Sequence, residues 1–161
     1  KQSDCFKIKL IDELLDSKKE SDHQQAYDFA MDCYASGNKC VAGKIASMYL
    51  NGLGVKKDLK QARKYLKEAA DGGSEWARIE LVSVLMNSDD DVDKVLAFDL
   101  CKSYIDSGTI KLYGKLAIMY KNGIGVDKSI NECLKYLHLA EKNGNEWAKK
   151  ELKNLNVNSA L

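Results

Sequence analysis

The sequence contains one eleven-residue pattern twice, and this duplication constrains the fold more than any other feature. The first copy, residues 45–55, reads Ile-Ala-Ser-Met-Tyr-Leu-Asn-Gly-Leu-Gly-Val, and the second, residues 116–126, reads Leu-Ala-Ile-Met-Tyr-Lys-Asn-Gly-Ile-Gly-Val. Later positions, such as Trp76 and Trp147, keep the same interval of 71 residues. A gap-free match of this length indicates an internal repeat and predicts stacked supersecondary units.

Half of this interval, about 36 residues, is the length of one helix-turn-helix unit. A weaker copy is therefore expected between the two strong ones, and Gly108 in this stretch corresponds to Gly73 at about half of the interval. The Gly-x-Gly-Val turn is missing from that copy, where residues 87–91 read Asn-Ser-Asp-Asp-Asp. We expect a single domain with units at about 5–37, 38–73, 74–108 and 109–144, followed by a capping helix at 145–155.

Apolar residues recur at helical spacing along the whole chain, and no proline interrupts them. The spacing predicts about nine helices. Two contain the apolar stripes from Ile8 to Leu15 and from Ala26 to Cys33, and the others cover roughly 39–51, 59–72, 75–86, 93–107, 110–122, 130–143 and 146–155.

Local signals mark where these helices begin and end. Capping-box spacing occurs at Ser129 to Glu132 and at Ser21 to Gln24. Further caps are predicted at the helix starts by Asp58 and Ser74, and glycines one residue past a helix end predict left-handed stop positions at Gly37, Gly73, Gly108 and Gly144.

Composition excludes several classes of function. The net charge is +1, because 25 lysines and arginines nearly balance 24 aspartates and glutamates, so neither nucleic-acid binding nor a polybasic membrane anchor is indicated. No apolar run is long enough to span a bilayer, so direct membrane insertion is not expected. The chain begins at Lys1 without a methionine, from which we expect a fragment or processed form of a longer protein.

Five cysteines are present, at positions 5, 33, 40, 101 and 133. Their odd number, without Cys-x-x-Cys spacing, argues against a disulfide framework or a zinc site, and buried free thiols are favoured. The alternative is a Cys33–Cys40 disulfide across a helix-helix turn, which would imply an oxidising compartment. The compartment is not determined, and a cytoplasmic location is favoured over a secreted or periplasmic one.

The repeated pattern Leu-Ala-x-x-Tyr-x-x-Gly-x-Gly-Val is followed by Ala-x-x-Tyr-Leu-x-x-Ala and Gly-x-x-Trp-Ala. This order resembles the Sel1-like repeat, a relative of the tetratricopeptide repeat. Departures are Cys133 in place of alanine and the missing turn near residues 87–91. The resemblance implies an all-α fold, a right-handed α/α superhelical solenoid of about four repeats. It also implies a non-catalytic adaptor that binds a protein or peptide partner, without a cofactor.

The related tetratricopeptide geometry implies that the first helix of each unit lines a concave binding face. Gly43 and Gly114 fall on this stripe of positions. The candidate partner-binding residues along it are Ser47, Leu50, Trp76, Ile79, Ser83, Met86, Lys111, Ile118, Lys121 and Trp147.

Two sets of these positions have a structural alternative. Trp76 and Trp147 could anchor a partner, because tryptophan often dominates interfaces. The favoured alternative is that both indoles pack against the preceding helix and fix the turn. Asn51, Asn87 and Asn122 recur in register and could clamp a peptide backbone. C-terminal capping is the favoured explanation, because two of them precede a turn glycine.

Three motifs that could carry chemistry have simpler explanations. Ser36 and Lys39 match Ser-x-x-Lys, but without the companion motifs of penicillin-recognising enzymes. Aspartates at 89, 91 and 93 have the spacing of calcium-loop ligands. However, Lys94 occupies the glycine position of such a loop and Leu100 the position of its bidentate glutamate. Carboxylates at the N-terminus of the next helix are therefore the favoured explanation. Cys133 and His138 are five residues apart on one helix and face different ways, so no metal site is expected.

A non-catalytic interaction module is therefore the main hypothesis for function. The alternative is a scaffold or regulatory segment of a larger enzyme, whose catalytic domain would lie outside this chain. Neither hypothesis identifies the partner or the oligomeric state.

Overall fold

The computed structural model describes residues 2–158 and, within them, the side chains of residues 6–155. The side chain of Cys5 and residues 1 and 159–161 lie outside this range. The described residues form nine α-helices and no strand, which confirms the all-α fold. The helices are α1 Gln2–Leu15, α2 Glu20–Ala35, α3 Ala42–Asn51, α4 Leu59–Asp71, α5 Glu75–Met86, α6 Asp91–Asp106, α7 Tyr113–Asn122, α8 Ile130–Lys142 and α9 Glu146–Asn158.

The interval of 71 residues governs the structure as well as the sequence. Helices α2, α3 and α4 reappear with the same lengths as α6, α7 and α8, and α1, α5 and α9 occupy equivalent places. The chain divides into two compact units, Lys1–Arg78 and Ile79–Leu161, which we call unit 1 and unit 2. Within each unit the contacts run mainly between successive helices, as in a repeat protein.

Short 3₁₀ turns precede α3 and α7, at Lys39–Val41 and Ile110–Leu112. The sequence predicted one continuous α-helix at each place. The side chain of Asn38 accepts a hydrogen bond from the Cys40 amide at 3.2 Å, which stabilises the tighter turn at this helix start.

The turn between α5 and α6 is of a different kind from Gly-x-Gly-Val. Ser88 accepts from the Asp90 amide at 3.2 Å and donates to the Asp93 carboxylate at 2.7 Å. Ser17 makes the same two bonds between α1 and α2, with the Lys19 amide and the Asp22 carboxylate. Residues 87–90 therefore form an intact turn of a second kind, equivalent to 16–19 rather than to Gly-x-Gly-Val.

Three predicted helix caps are confirmed. Asp58 accepts from the amides of residues 60 and 61, Ser74 from Ala77, and Ser129 from Glu132. The capping box at Ser21 is wrong: α2 begins one residue earlier, at Glu20, so Ser21 lies inside its first turn. The hydroxyl of Ser17 instead donates a hydrogen bond to the Asp22 carboxylate in that first turn.

The glycine turns hold each unit together by close backbone approach. Gly54 has φ +67°, and a Cβ atom added there would lie 2.0 Å from the His23 carbonyl oxygen at the start of α2. Gly125 has φ +68° and would meet the Lys94 carbonyl oxygen at the same distance. A side chain is excluded in both places, so the Gly-x-Gly-Val turn packs directly on the preceding helix pair.

Paired tyrosine rings fill the space between α3 and α4 and between α7 and α8. Tyr49 stacks on Tyr65 at 5.9 Å between ring centroids, and Tyr120 stacks on Tyr136 at 5.8 Å. Fully buried alanines, Ala46 and Ala117, lie on the same helices α3 and α7 as two of these rings. The alternation of large and small side chains allows the helices to pack closely.

Candidate functional site

Two adjoining cavities open on unit 1 and share Cys40 and Gly43 in their walls. One has a volume of about 400 Å³ and is formed by α1, α3 and the first turn of α5. The other, about 440 Å³, extends past the end of α4. We call the first the Trp76 cleft; its walls are Asp12, Leu15, Cys40, Gly43, Lys44, Ser47 and Trp76.

Trp76 owes its position to two local features of the sequence. Ser74 caps α5 through the Ala77 amide, which fixes the first turn of that helix. Gly43 on α3 lies against the indole, because a Cβ atom there would be in ordinary contact with the ring, at 3.7 Å. The ring thus packs on α3 and is still 43% exposed.

The charges of the Trp76 cleft are matched. Lys44 on α3 forms an ion pair with Asp12 on α1. Beside the cleft, Tyr34 donates to the Glu68 carboxylate at 2.6 Å, and the Lys39 ammonium lies 3.4 Å from the centre of the Tyr34 ring. The exposed thiol of Cys40 lies between these groups and is free. This site is therefore nearly neutral, with an aromatic wall.

The positions 71 residues further on define, by their equivalence in the repeat, a second candidate site in unit 2. We call it the Trp147 surface; it consists of Ser83, Met86, Lys111, Gly114, Lys115, Ile118 and Trp147. Trp147 repeats the packing of Trp76, since a Cβ atom on Gly114 would lie 3.8 Å from its ring, and the indole is 41% exposed.

The structure places the sequence-predicted binding residues in both units. Ser47 and Trp76 line the Trp76 cleft, whereas Leu50 is a half-buried residue of α3 outside it. In unit 2, Ser83, Met86, Lys111, Ile118 and Trp147 belong to the Trp147 surface. Met86 is only 8% exposed and offers little area to a partner.

The two remaining candidates lie elsewhere in unit 2. Ile79 is half-buried near the middle of α5. Lys121, at the end of α7, forms an ion pair with Glu151 of α9.

Sequence reasoning missed four residues of the Trp76 cleft, namely Asp12, Leu15, Cys40 and Lys44. Applying the 71-residue interval to the candidate positions Ser83, Met86 and Lys111 would have found Asp12, Leu15 and Cys40. Lys44 carries its own signal, since Lys115 repeats it.

The motifs with catalytic or metal-binding spacing have structural roles. The Ser36 hydroxyl donates to the Asp32 carbonyl oxygen at 2.5 Å, a bond within the end of α2. Asp90 caps α6 through the Val92 amide, which confirms helix capping as the role of this acidic turn. Over residues 6–155, no cluster of histidine, cysteine or acidic side chains has metal-binding geometry.

The cysteines differ in exposure. Cys33, Cys101 and Cys133 are buried free thiols, as expected, whereas Cys40 is exposed. Cys33 and Cys40 are unbonded, so the alternative disulfide is not formed. Cys133 is buried and His138 is largely exposed, which confirms that they face different ways.

Helix pairs that recur at a fixed interval define the class of this molecule, an α-helical repeat protein. A family model described as the Sel1 repeat matches residues 42–74 and 113–145, which contain α3–α4 and α7–α8. The chain therefore contains two segments that match the Sel1 repeat. Proteins of this family are generally protein-interaction modules, and their repeat domains are typically non-catalytic.

Two solved structures share the fold. One is a protective antigen present in uropathogenic Escherichia coli strains that displays an SLR fold; it matches with a TM-score of 0.69 and 20% identity over 83% of this chain. The other, a Sel1 repeat protein from Oxalobacter formigenes, matches with a TM-score of 0.64 and 19% identity over 78% of this chain. This chain spans 29% and 51% of the length of those proteins.

No described helix is long and apolar enough to cross a membrane.

Proposed function

We propose that this chain is a non-catalytic interaction domain in which Trp76 and Trp147 each contact a peptide segment of a partner protein. One observation carries the proposal: each indole packs on a glycine of the neighbouring helix and keeps about two-fifths of its surface exposed, at 43% and 41%. An aromatic ring held rigidly in this way loses little conformational entropy when a partner covers it. Near-neutral charge favours a protein or peptide partner over nucleic acid.

The two tryptophans are the only ones in the chain, so either can serve as a fluorescent reporter after the other is replaced. The first step is affinity capture with the wild-type chain and identification of the bound protein by mass spectrometry. The second step measures binding of that purified protein to Trp76→Ala, Trp147→Ala and the triple variant Ile79→Glu, Ser83→Glu, Ile118→Glu.

We expect each substitution to weaken binding while helical circular dichroism is retained, and Trp76 fluorescence in Trp147→Phe to change on binding. Leu59→Ser is the matched control, because Leu59 is 50% exposed but lies outside both sites. Unchanged binding by the tryptophan and triple variants would reject both sites as partner surfaces.

A second proposal is that the four helix pairs form one scaffold domain of a longer protein, which could include an enzyme. The greater length of the two structurally similar proteins supports it. The coding sequence on either side of residues 1–161 tests it directly, since a catalytic domain in the same reading frame is required.

A further inference from the structure

The two duplicated sites differ in charge. In unit 1, the Lys44 ammonium is matched by Asp12, and the lysine side chain is only 27% exposed. In unit 2, the lysine is kept as Lys115, but the position of Asp12 is occupied by Ser83. Unit 2 thus has the lysine of the pair without the aspartate.

Ser83 cannot supply the missing charge. Its hydroxyl donates to the Ile79 carbonyl oxygen at 2.7 Å, a bond within its own helix α5. No carboxylate forms an ion pair with Lys115 among the side chains of residues 6–155. Two acids of α9 are matched with other lysines, Glu146 with Lys149 and Glu151 with Lys121. Lys115 is therefore a half-buried cation without a described counter-ion.

The surroundings of Lys115 combine this positive charge with an aromatic wall and polar groups. Lys111, one helical turn earlier, adds a second exposed ammonium group at the position of Cys40 in unit 1. The Trp147 ring lies over Gly114, next to Lys115 in the sequence, and the Asn145 side-chain amide nitrogen lies 3.0 Å from where a Gly114 Cβ atom would be. Lys115 also acts at a distance: its charge opposes the burial that raises the pKa of the Cys101 thiol.

We propose, as a deepening of the proposed function on which it rests, that the Trp147 surface selects an acidic peptide segment: a glutamate or aspartate side chain pairs with Lys115 while an adjacent apolar side chain covers Trp147. Charge complementarity carries this choice of occupant, because a partner carboxylate would supply the counter-ion that Asp12 supplies in unit 1. The Trp76 cleft, whose lysine is already paired, does not share the preference.

A reciprocal exchange of the two residues tests the inference on the whole chain. Ser83→Asp rebuilds in unit 2 the acid of unit 1, and Asp12→Ser removes it from unit 1. Lys115→Gln and Lys44→Gln form a matched pair of charge deletions. The probes are two pools of fluorescein-labelled short peptides with one fixed leucine, identical except that two fixed positions are glutamate in one pool and glutamine in the other.

Fluorescence anisotropy at low and high ionic strength measures binding, and chemical shifts of the Trp76 and Trp147 indole N–H groups locate it. We expect the glutamate pool to bind about two- to fivefold more tightly than the glutamine pool, in a salt-sensitive way and with the Trp147 signal moving. Ser83→Asp and Lys115→Gln should each abolish the preference for the glutamate pool, and Lys44→Gln should leave it unchanged. Asp12→Ser should create a second site that prefers the glutamate pool, and binding there should move the Trp76 signal.

Equal binding of the two pools by the wild-type chain would overturn this inference and leave the proposed function standing. A preference unaffected by Ser83→Asp would also overturn it. Failure of both pools to move either indole signal would contradict the proposed function as well. Sedimentation of the same variants covers the alternative occupant: if Ser83→Asp changes self-association rather than peptide binding, the surface binds a second copy of the chain, and the inference is wrong.

Discussion

At the scale of single residues, glycines with the same backbone conformation have different roles. Gly37 and Gly54 both have positive φ, at +93° and +67°, but no atom lies within 4 Å of a Cβ position on Gly37, whereas one on Gly54 would collide with the His23 carbonyl oxygen. We expect Gly37→Ala to lower the free energy of unfolding by about 1–2 kcal/mol, the cost of left-handed geometry for alanine. Gly54→Ala should cost a further ~1–3 kcal/mol, because backbone atoms must move.

Urea unfolding followed by circular dichroism measures both losses. Gly37→Ala is the matched control for conformation alone, in the same unit. Equal losses in the two variants would show that the close approach to His23 does not constrain the turn.

Cysteine reactivity is a second property set at this scale. Burial raises the pKa of the Cys101 thiol to about 12, so this thiol is protonated and inaccessible in the native protein near neutral pH. Cys40 is exposed on the wall of the Trp76 cleft. Because the thiolate is the reactive form, we expect iodoacetamide at about pH 8 to modify Cys40 well before Cys101 or Cys133.

Peptide mapping by mass spectrometry after short labelling times checks this order, and Cys40→Ser identifies the labelled peptide. Labelling in denaturant, where all the thiols are exposed, is the control for intrinsic reactivity. Early modification of Cys101 would mean that the contact between α6 and α7 opens readily.

At the scale of helices and turns, the sequence predicts helix starts well where a residue type has one preferred structural role. Asp58, Ser74 and Ser129 were identified as caps because a short polar side chain before an apolar run satisfies free amides. The turn between α5 and α6 is harder to interpret, because at about half of the repeat interval it aligns with Gly-x-Gly-Val, which is a different kind of turn. Its true equivalent shares a serine with it but carries lysines where residues 89 and 90 are aspartates, so composition hid the match.

The candidate site was only partly predictable, for a different reason. Ser47 and Trp76 could be placed from helix register, since register fixes which face a residue occupies. The Asp12–Lys44 ion pair joins two residues that are 32 positions apart in the sequence, and nothing local indicates which of the many surface charges will meet. Register thus indicates a candidate face, whereas the charge of that face depends on long-range packing. The difference between Asp12 and its equivalent Ser83 indicates a difference in charge only once the Asp12–Lys44 ion pair is known.

At the scale of the whole molecule, the two units share their packing residues and differ at part of their surface. The residues they share include turn glycines, buried alanines and stacked tyrosines, which maintain the helix pairs. They also include the tryptophan, glycine and lysine of the two candidate sites. Some of the residues that differ, such as Cys40 and Lys111, lie on exposed surface, whereas others, such as Val41 and Leu112, are buried in both units. Exposed positions such as Cys40 and Lys111 can therefore change without loss of the packing contacts that the units share.

The same organisation predicts how the chain responds to local damage. Contacts within each unit run between successive helices, and in such proteins stability is approximately a sum of terms between neighbours. Hydrogen–deuterium exchange should therefore show that Gly54→Ala raises exchange mainly in α2 to α4, whereas Gly125→Ala, with the same clash against the Lys94 carbonyl oxygen, raises it mainly in α6 to α8. Because the two substitutions are equivalent in geometry, each serves as the control for the other. An equal rise in both units from either substitution would mean that the chain opens as one cooperative body, and the separation of the two sites argued above would then not extend to their stability.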